Sequence, residues 1–206
     1  MLTAVRFPGP EPPGIALPAR LGRFGCEAGD WAWSWTKSVP DLPVPSFEPS
    51  GAETIDGWGL DHVVLGTPDV ESTVEALVAS GGDDRRRGET VRGQVAAFVL
   101  AGTLIEVIEL GTRTQLVGIA FETDLDLHEV AAQWRADGVE VTDPHPAVQP
   151  VRSILSVRGA PVAVMTRREG VLSTAYSVLG NWRPKAASAR AGHEVQDAHL
   201  GHVLAD

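Results

Sequence analysis

The sequence is poor in cysteine and in positive charge. Cys26 is the single cysteine among 206 residues, so the chain has neither an intramolecular disulfide nor the paired cysteines of a structural zinc site. A reducing, cytoplasmic environment is therefore expected. Only 17 lysines and arginines accompany 27 aspartates and glutamates, giving a net charge of −10. Nucleic acids and anionic membranes are not expected as partners, because both require a basic surface.

Long apolar runs are also missing. No stretch approaches the roughly 20 apolar residues that cross a bilayer. Met1–Arg20 contain five prolines and no continuous apolar segment, so a secretory signal is not expected. The hydrophobic content of 43% is ordinary for a folded protein, and the length suits one substantial domain or two small ones.

Proline is concentrated in residues 1–57, which hold nine of the 15 prolines. This favours extended segments and turns over long helices. Trp31, Trp33 and Trp35 alternate with small residues there, which predicts one strand with three indoles on one face. We interpret these indoles as the surface that packs an N-terminal arm onto the main domain. A stacking platform for a ligand is the alternative.

Residues 59–110 predict a strand, a helix and two or three further strands. Thr67 is the expected N-cap of the helix, whose apolar residues recur at helical spacing. The arginine-rich segment 83–88 after the helix is predicted to be a polar turn. Gly102 lies in a tight hairpin. The predicted strands are 60–65, 94–100 and 103–110.

Residues 115–167 predict the same order of elements again, with Asp126 as the N-cap of the second helix. The repeat has a nearly constant offset. Adding 56 to His62 gives Gly118. Adding 57 to Phe98 and Glu106 gives Leu155 and Ala163. The chain therefore carries two structurally equivalent units, each too small to bury its own sheet.

One carboxylate lies in an apolar strand of the first unit. Strand alternation places Glu106 between Leu104 and Ile108 on one face. Burying a carboxylate is costly unless a positive group or a hydrogen-bond donor meets it. His62, in the middle of the first strand, is the nearest candidate partner in the sequence.

The duplicated unit, with Leu-Asp-His-Val-Val-Leu at its start and Leu-Ile-Glu-Val near its end, resembles the vicinal oxygen chelate superfamily. This group includes glyoxalase, bleomycin-resistance proteins, methylmalonyl-CoA epimerase and extradiol dioxygenases, and the chain is most similar to its bacterial glyoxalase-like members. The resemblance covers residues 59–167. It implies an α+β fold in which two βαβββ modules form an incomplete barrel around a cleft.

The resemblance also implies a divalent metal ion, such as Zn, Ni, Mn or Fe, held by His62 and Glu106. The equivalent positions of the second module, Gly118 and Ala163, have no side chain that binds a metal. Two ligands leave an ion weakly held, since catalytic zinc usually has three. The candidate replacements are His145, Gln149 and Gln94.

Two other interpretations of the pair stay open: an acid–base pair that works without a metal, and a polar pair satisfied inside the core. The predicted substrate-binding residues are Gln94, Phe98 and Arg152. Arg152 is expected either to hold a carboxylate or phosphate of the substrate or to be an exposed strand arginine.

The resemblance thus implies a glyoxalase-like lyase or isomerase that acts on a small oxygenated metabolite by metal-assisted proton transfer. A non-catalytic protein that sequesters a small molecule is the main alternative, and a purely structural or partner-binding module is the third. The chain is expected to be a monomer or a homodimer. The predicted divisions are an arm (1–57), a glyoxalase-like domain (58–168, with modules 59–110 and 115–167) and a poorly packed tail (169–206).

Overall fold

The computed structural model describes residues 1–89, 93–147 and 152–167. The N-terminal strands are β1 (Leu2–Phe7), β2 (Ala19–Leu21), β3 (Phe24–Ala28), β4 (Ala32–Trp35) and β5 (Glu53–Ile55). The first module consists of β6 (Trp58–Thr67), α1 (Val70–Ala79), β7 (Asp83–Glu89), β8 (Val95–Leu100) and β9 (Leu104–Glu109). The second consists of β10 (Gln115–Thr123), α2 (Leu127–Ala136), β11 (His145–Pro146), β12 (Ser153–Ser156) and β13 (Val162–Thr166).

The two modules share one eight-stranded sheet, with the order β11-β12-β13-β10-β6-β9-β8-β7. Their first strands, β6 and β10, pair antiparallel at its centre. Each first strand also pairs parallel with the last strand of its own module. The predicted α+β fold of two βαβββ modules is confirmed. The sheet is open, because β7 and β11 lie at its edges.

The strand register reproduces the sequence repeat. Val64 lies beside Glu106 in the first module, and Ala120 lies beside Ala163 in the second. Val64 and Ala120 differ by the predicted offset of 56, and Glu106 and Ala163 differ by the predicted offset of 57. The predicted equivalence of Phe98 and Leu155 was wrong by one residue. Phe98 pairs with Glu106 in the first module, but in the second module Ser156, not Leu155, pairs with the equivalent residue Ala163.

The arginine-rich segment after α1 is an edge strand, β7, and not the predicted turn. Ion pairs compensate its charge: Arg85 contacts Asp83, and Arg87 contacts Glu71 and Asp84. Charged side chains are common on edge strands, because they discourage pairing with another chain. The charge-rich sequence of β7 is therefore typical of a solvated loop, although its backbone pairs with β8.

Helix capping differs from the prediction at α1 and matches it at α2. The N-cap of α1 is Asp69, whose carboxylate accepts a hydrogen bond from Ser72 N at 3.0 Å. Thr67 remains in β6, and its hydroxyl lies 2.9 Å from that of Thr73. Asp126 caps α2 as predicted.

The N-terminal region forms a five-stranded sheet, with the order β4-β1-β3-β2-β5, where only one strand was predicted. All nine prolines of this region lie between the strands, so they limit strand length without preventing pairing. This sheet and both helices contribute to the main core. Phe7 packs on Phe121 of β10 at 5.5 Å between ring centroids. Trp33 is fully buried and contacts Trp35 at 5.3 Å between ring centroids, and Trp31 packs against the same core.

Neither helix of the described ranges is long and apolar enough to cross a membrane. The predicted C-terminal tail, 169–206, lies outside the described residues. The domain boundaries stay predictions.

Gly102 joins the N-terminal sheet to the β8–β9 hairpin, and replacing it with alanine is expected to destabilise the protein. Its φ is +99°, and an added Cβ would lie 2.7 Å from the carbonyl oxygen of Leu2. Leu2 N donates a hydrogen bond to Ala101 O at 2.8 Å. Strain and overlap together are expected to lower the free energy of unfolding by about 2–3 kcal/mol, measured by chemical denaturation.

Gly111→Ala is the matched control. Gly111 has φ +78°, but no atom lies within 4 Å of its added Cβ. The decrease in unfolding free energy of Gly111→Ala is expected to be smaller than that of Gly102→Ala, because only the backbone conformation is disfavoured. Equal losses for the two variants would contradict a specific contact at Gly102.

Candidate functional site

The candidate site begins at an irregularity in the pairing of β6 with β10. Leu60 pairs with Phe121 and His62 pairs with Ala120, so Asp61 is an extra residue in β6. A β-bulge of this kind re-aims a side chain. Asp61 therefore reaches the side of the sheet that carries His62, although regular alternation would place it on the opposite side.

The face of the eight-stranded sheet that carries His62 is called the cleft face. The strand register places these residues on it: Phe98, Glu106, His62, Val64, Ala120, Ala163 and Ser156. Arg152 directly precedes β12 and contacts Asp61. The opposite face carries the main core residues, such as Val63 and Ile105. The two predicted metal ligands, His62 and Glu106, thus share one face with Phe98, one of the predicted substrate-binding residues.

His62 lies between two carboxylates. Its Nδ1 lies 2.7 Å from Asp61 Oδ2, at hydrogen-bonding distance. Its Nε2 lies 3.7 Å from Glu106 Oε2. Only 8% of His62 and 5% of Glu106 is exposed, so these contacts form in a largely water-free environment. The predicted approach of His62 and Glu106 is present, and Asp61 is a third member that sequence alternation missed.

Arg152 provides positive charge beside Asp61. Its Nη2 lies 2.7 Å from Asp61 Oδ1 and 3.6 Å from Glu122 Oε2. Its Nε donates a hydrogen bond to Thr166 O at 2.8 Å. The Asp61 contact is a close ion pair whose angles are not those of a hydrogen bond. The side chain is 1% exposed, so the interpretation as an exposed strand arginine was wrong.

These contacts shift the pKa values of Asp61 and His62. Burial alone would raise the pKa of Asp61, but the His62 hydrogen bond and the charges of His62 and Arg152 lower it well below its usual range. Burial alone would lower the pKa of His62, but the Asp61 hydrogen bond and the charges of Asp61 and Glu106 raise it above the usual 6.5. The structure therefore favours a charged Asp61 and extends the pH range in which His62 is protonated.

The raised pKa of His62 predicts a pH-dependent contribution to stability. A group with a higher pKa in the folded state stabilises fully below its unfolded pKa, here near 6.5, and this contribution is lost as pH rises through the folded value. The difference in unfolding free energy between wild type and His62→Gln should therefore shrink from mildly acidic to alkaline pH. Denaturation at several pH values measures it, and a difference that grows with pH would contradict the shift.

The other two predicted substrate-binding residues, Phe98 and Gln94, lie at different distances from Glu106. Phe98 is the cross-strand neighbour of Glu106, and the Arg86 guanidinium lies 5.7 Å from its ring centroid. Gln94 precedes Phe98 by four positions, which is about 13 Å along a strand. Its Nε2 donates a hydrogen bond to Glu109 O at 2.9 Å. Phe98 is therefore adjacent to the site, and Gln94 is not.

The donor set does not fit a tightly held divalent ion. His62 and Glu106 supply two donors, and no group of three or more His, Cys, Asp or Glu that could hold a metal occurs in the described ranges. His145 lies in edge strand β11, four strands from β6. Its Nδ1 lies 3.0 Å from Asp143 O. Gln149, another suggested replacement, lies outside the described residues. Two protein ligands leave an ion mostly hydrated.

Elemental analysis tests this conclusion. Protein purified without added metal is expected to contain far less than one equivalent of any divalent transition metal. The matched sample is His62→Gln, which should contain the same trace amount. One equivalent in wild type that disappears in His62→Gln would establish the metal site that the resemblance implied.

Comparisons with known proteins give structural likeness alone. No protein-family profile and no curated protein matches the chain. Methylmalonyl-CoA epimerase from Mycobacterium tuberculosis is 15% identical over 52% of this chain and 85% of its own, with a TM-score of 0.43. A hypothetical protein from Bacillus halodurans is 16% identical over 57% of this chain and 99% of its own, with a TM-score of 0.46.

A Streptomyces coelicolor methylmalonyl-CoA epimerase variant in complex with 2-nitronate-propionyl-CoA is 21% identical over 52% of this chain and 95% of its own, with a TM-score of 0.42. These identities and scores are too low to carry an activity or a ligand over to this chain.

Proposed function

We propose that this chain is a glyoxalase-like enzyme of the vicinal oxygen chelate type, which moves a proton on a small oxygenated metabolite. The observation that carries the proposal is the buried hydrogen bond between His62 Nδ1 and Asp61 Oδ2 at 2.7 Å. A carboxylate on Nδ1 fixes the tautomer of an imidazole and stabilises its protonated form. A histidine held in this way is suited to general acid–base catalysis.

In the proposed reaction, His62 Nε2 removes a proton from a carbon next to a carbonyl group. The C–H bond breaks, its electron pair moves into the enolate, and the proton forms the imidazolium of His62. Asp61 accepts the Nδ1 hydrogen bond throughout, so it acts as a positioning residue and keeps Nε2 as the reacting atom. The raised pKa of His62 makes its neutral form a stronger base.

The position of Glu106 favours an isomerase type of reaction. Glu106 Oε2 lies 3.7 Å from His62 Nε2, so both groups meet the substrate from the same side. A proton removed there returns from that side to a neighbouring atom of the enolate, which gives an isomer of the substrate. Two bases on opposite sides would instead favour inversion at one carbon. No step is assigned to a metal ion, because the described donor set does not fit one.

Hydrogen–deuterium exchange tests the proposed proton abstraction. Simple hydroxyketones in D2O report enolate formation, because each abstraction replaces an α-proton with deuterium and removes its NMR signal. Wild type is expected to accelerate this loss over buffer, with a rate that rises with pH through the pKa of His62. An exchange rate equal to that of buffer for every hydroxyketone would overturn the proposal.

Sequestration of a small molecule is the second candidate, and one observation favours it. A carboxylate lies near each ring nitrogen of His62, an arrangement that also suits a permanently protonated histidine binding an oxygen-bearing ligand. A ligand bound only by the folded state would raise the melting temperature. Such a rise without proton exchange would favour sequestration over catalysis. The substrate, the cytoplasmic location and the oligomeric state stay predictions.

A further inference from the structure

Two apolar clusters lie on the cleft face, one in each module. The cluster of the first module contains Val64, Ala96 and Ile108, and that of the second contains Ala120, Ala147, Ile154, Ala163 and Met165. Neither cluster includes a residue of a helix or of the N-terminal sheet, which contribute to the main core on the opposite face. The described helices and the N-terminal sheet therefore leave the cleft face without a second layer.

The two clusters are nevertheless buried. Ile108 is 0% exposed, and Val64 and Met165 are 2% and 3% exposed. His62, which lies between the clusters, is also buried. A sheet face that carries aliphatic side chains is buried when another element packs on it. The burial therefore points to a covering element outside the described ranges.

One long segment is available to cover the cleft face. The parts of the chain outside the described ranges are 90–92, 148–151 and 168–206. The first two are too short to form a layer. The third follows directly on Arg167 at the end of β13, and Ala163 and Met165 of this strand belong to the second cluster. The segment therefore starts beside the surface that it would cover.

Residues 171–182 have the pattern of an amphipathic helix. At 3.6 residues per turn, the apolar residues fall within an arc of about 160°. They are Val171, Leu172, Ala175, Tyr176, Val178, Leu179 and Trp182. The remaining arc carries Ser173, Thr174, Ser177, Gly180 and Asn181. Pro184 follows and is typical of a helix end. The composition of 169–206 as a whole predicts a poorly packed tail, but this shorter segment has a clear helical period.

A helix of this length needs a surface to pack on. Twelve residues make a helix of about 18 Å, and isolated helices of this size are marginal in water. The cleft face provides a surface of suitable size, because the two clusters extend from β8 to β12, five strand spacings or about 24 Å apart. No residue of 171–182 is charged, so docking there buries no additional charge.

We propose that residues 171–182 form an amphipathic helix that docks on the cleft face of the same chain and covers His62. The apolar side of the helix, which includes Leu172 and Leu179, contacts the two clusters. The polar side, which includes Ser173 and Ser177, faces water. This intramolecular contact supplies the second layer that the described elements do not provide.

Amide hydrogen exchange of the full chain, followed by mass spectrometry, tests whether the helix is docked. In wild type, the amides of 171–182 are expected to exchange at least about 10-fold more slowly than in an unfolded peptide of the same sequence. The double variant Leu172→Asp with Leu179→Asp should lose this protection, because it places charge on the apolar side. Ser173→Asp with Ser177→Asp is the matched control. It adds the same charge on the polar side and should retain the protection.

Nuclear Overhauser effects in wild type test where the helix docks. Tyr176 is the single tyrosine of the chain, so its ring signals belong to one residue. Contacts from this ring to methyl groups of Ile108, Ile154 or Met165 are expected, because these residues lie on the cleft face. Met1 is the only other methionine and should give no contact. This measurement needs no variant, so it does not depend on how a substituted chain folds.

Four results would overturn the proposal. The first is exchange of the 171–182 amides at the unfolded rate in wild type. The second is equal protection in the two double variants, and the third is the absence of contacts between Tyr176 and the cleft-face methyl groups. The fourth is protection that falls on dilution, which would place the helix on a second copy of the chain. Neither readout involves the proposed reaction, so each result holds whether or not His62 is a base.

Discussion

Replacing Arg152 with methionine is expected to lower the free energy of unfolding by about 3–5 kcal/mol. The guanidinium is 1% exposed and lies 2.7 Å from Asp61. Removing it leaves Asp61 buried without its cation, and a buried charge that loses its partner is strongly destabilising. Methionine retains much of the side-chain volume, so the loss reports charge more than packing. Chemical denaturation measures it.

An exposed pair with the same separation provides the control. Arg135 Nη2 also lies 2.7 Å from a carboxylate, that of Asp143, but the two side chains are 45% and 87% exposed. Asp143→Asn is expected to cost less than about 1 kcal/mol, because water screens this pair. The double variant Arg152→Met with Asp61→Asn should regain part of the stability lost in Arg152→Met. Equal losses at the exposed and the buried pair would contradict the proposed role of burial.

Substitutions of His62 and Asp61 are expected to have the largest effects on proton exchange. His62→Gln removes the base and should lower the exchange rate of the best hydroxyketone by about 10²–10⁴-fold. Asp61→Asn keeps the shape of the side chain but removes the charge that favours protonation of His62. It should lower the exchange rate and move the pH at which exchange begins to a lower value.

His128→Gln is the matched control for these variants. His128 is exposed on α2, so its loss should change neither the exchange rate nor its pH profile. If His62→Gln retained the exchange rate of wild type, His62 would not be the base. If Asp61→Asn left the pH profile in place, Asp61 would not control the protonation of His62.

The modules were predictable because their signals are local and repeated. The alternation around Glu106, the helix-cap Asp126 and the near-constant offset from His62 to Gly118 each follow from the spacing of nearby residues. The pairing of the first and last strands within each module reproduces that offset. A repeat also helps the assignment, since an element with an ambiguous pattern in one module can have a clearer pattern in the other.

Asp61 could not be assigned to the site in the same way. Strict alternation puts it on the face opposite His62, and the bulge that reverses its direction depends on how β6 pairs with β10. This pairing joins residues nearly 60 positions apart. The counter-ion role of Arg152 has the same origin, because Asp61 and Arg152 meet only after the two modules combine.

Strands β7, β1–β3 and β5 were missed for different reasons. In β7, residues such as Arg85 and Arg87 make a charged edge that has the composition of a loop. In the N-terminal sheet, prolines separate strands as short as the three residues of β2. Strand patterns are weak over so few residues, and the sheet is stabilised by burial against residues such as Phe121.

The central claim is that Asp61 holds His62 in one tautomer and raises its pKa, and NMR titration of imidazole-labelled protein measures both properties directly. A His62 pKa above the usual 6.5, a neutral form protonated at Nδ1, and a pKa that falls in Asp61→Asn are the expected results. A His62 that titrates at or below the usual value, with its neutral form protonated at Nε2, would contradict the account.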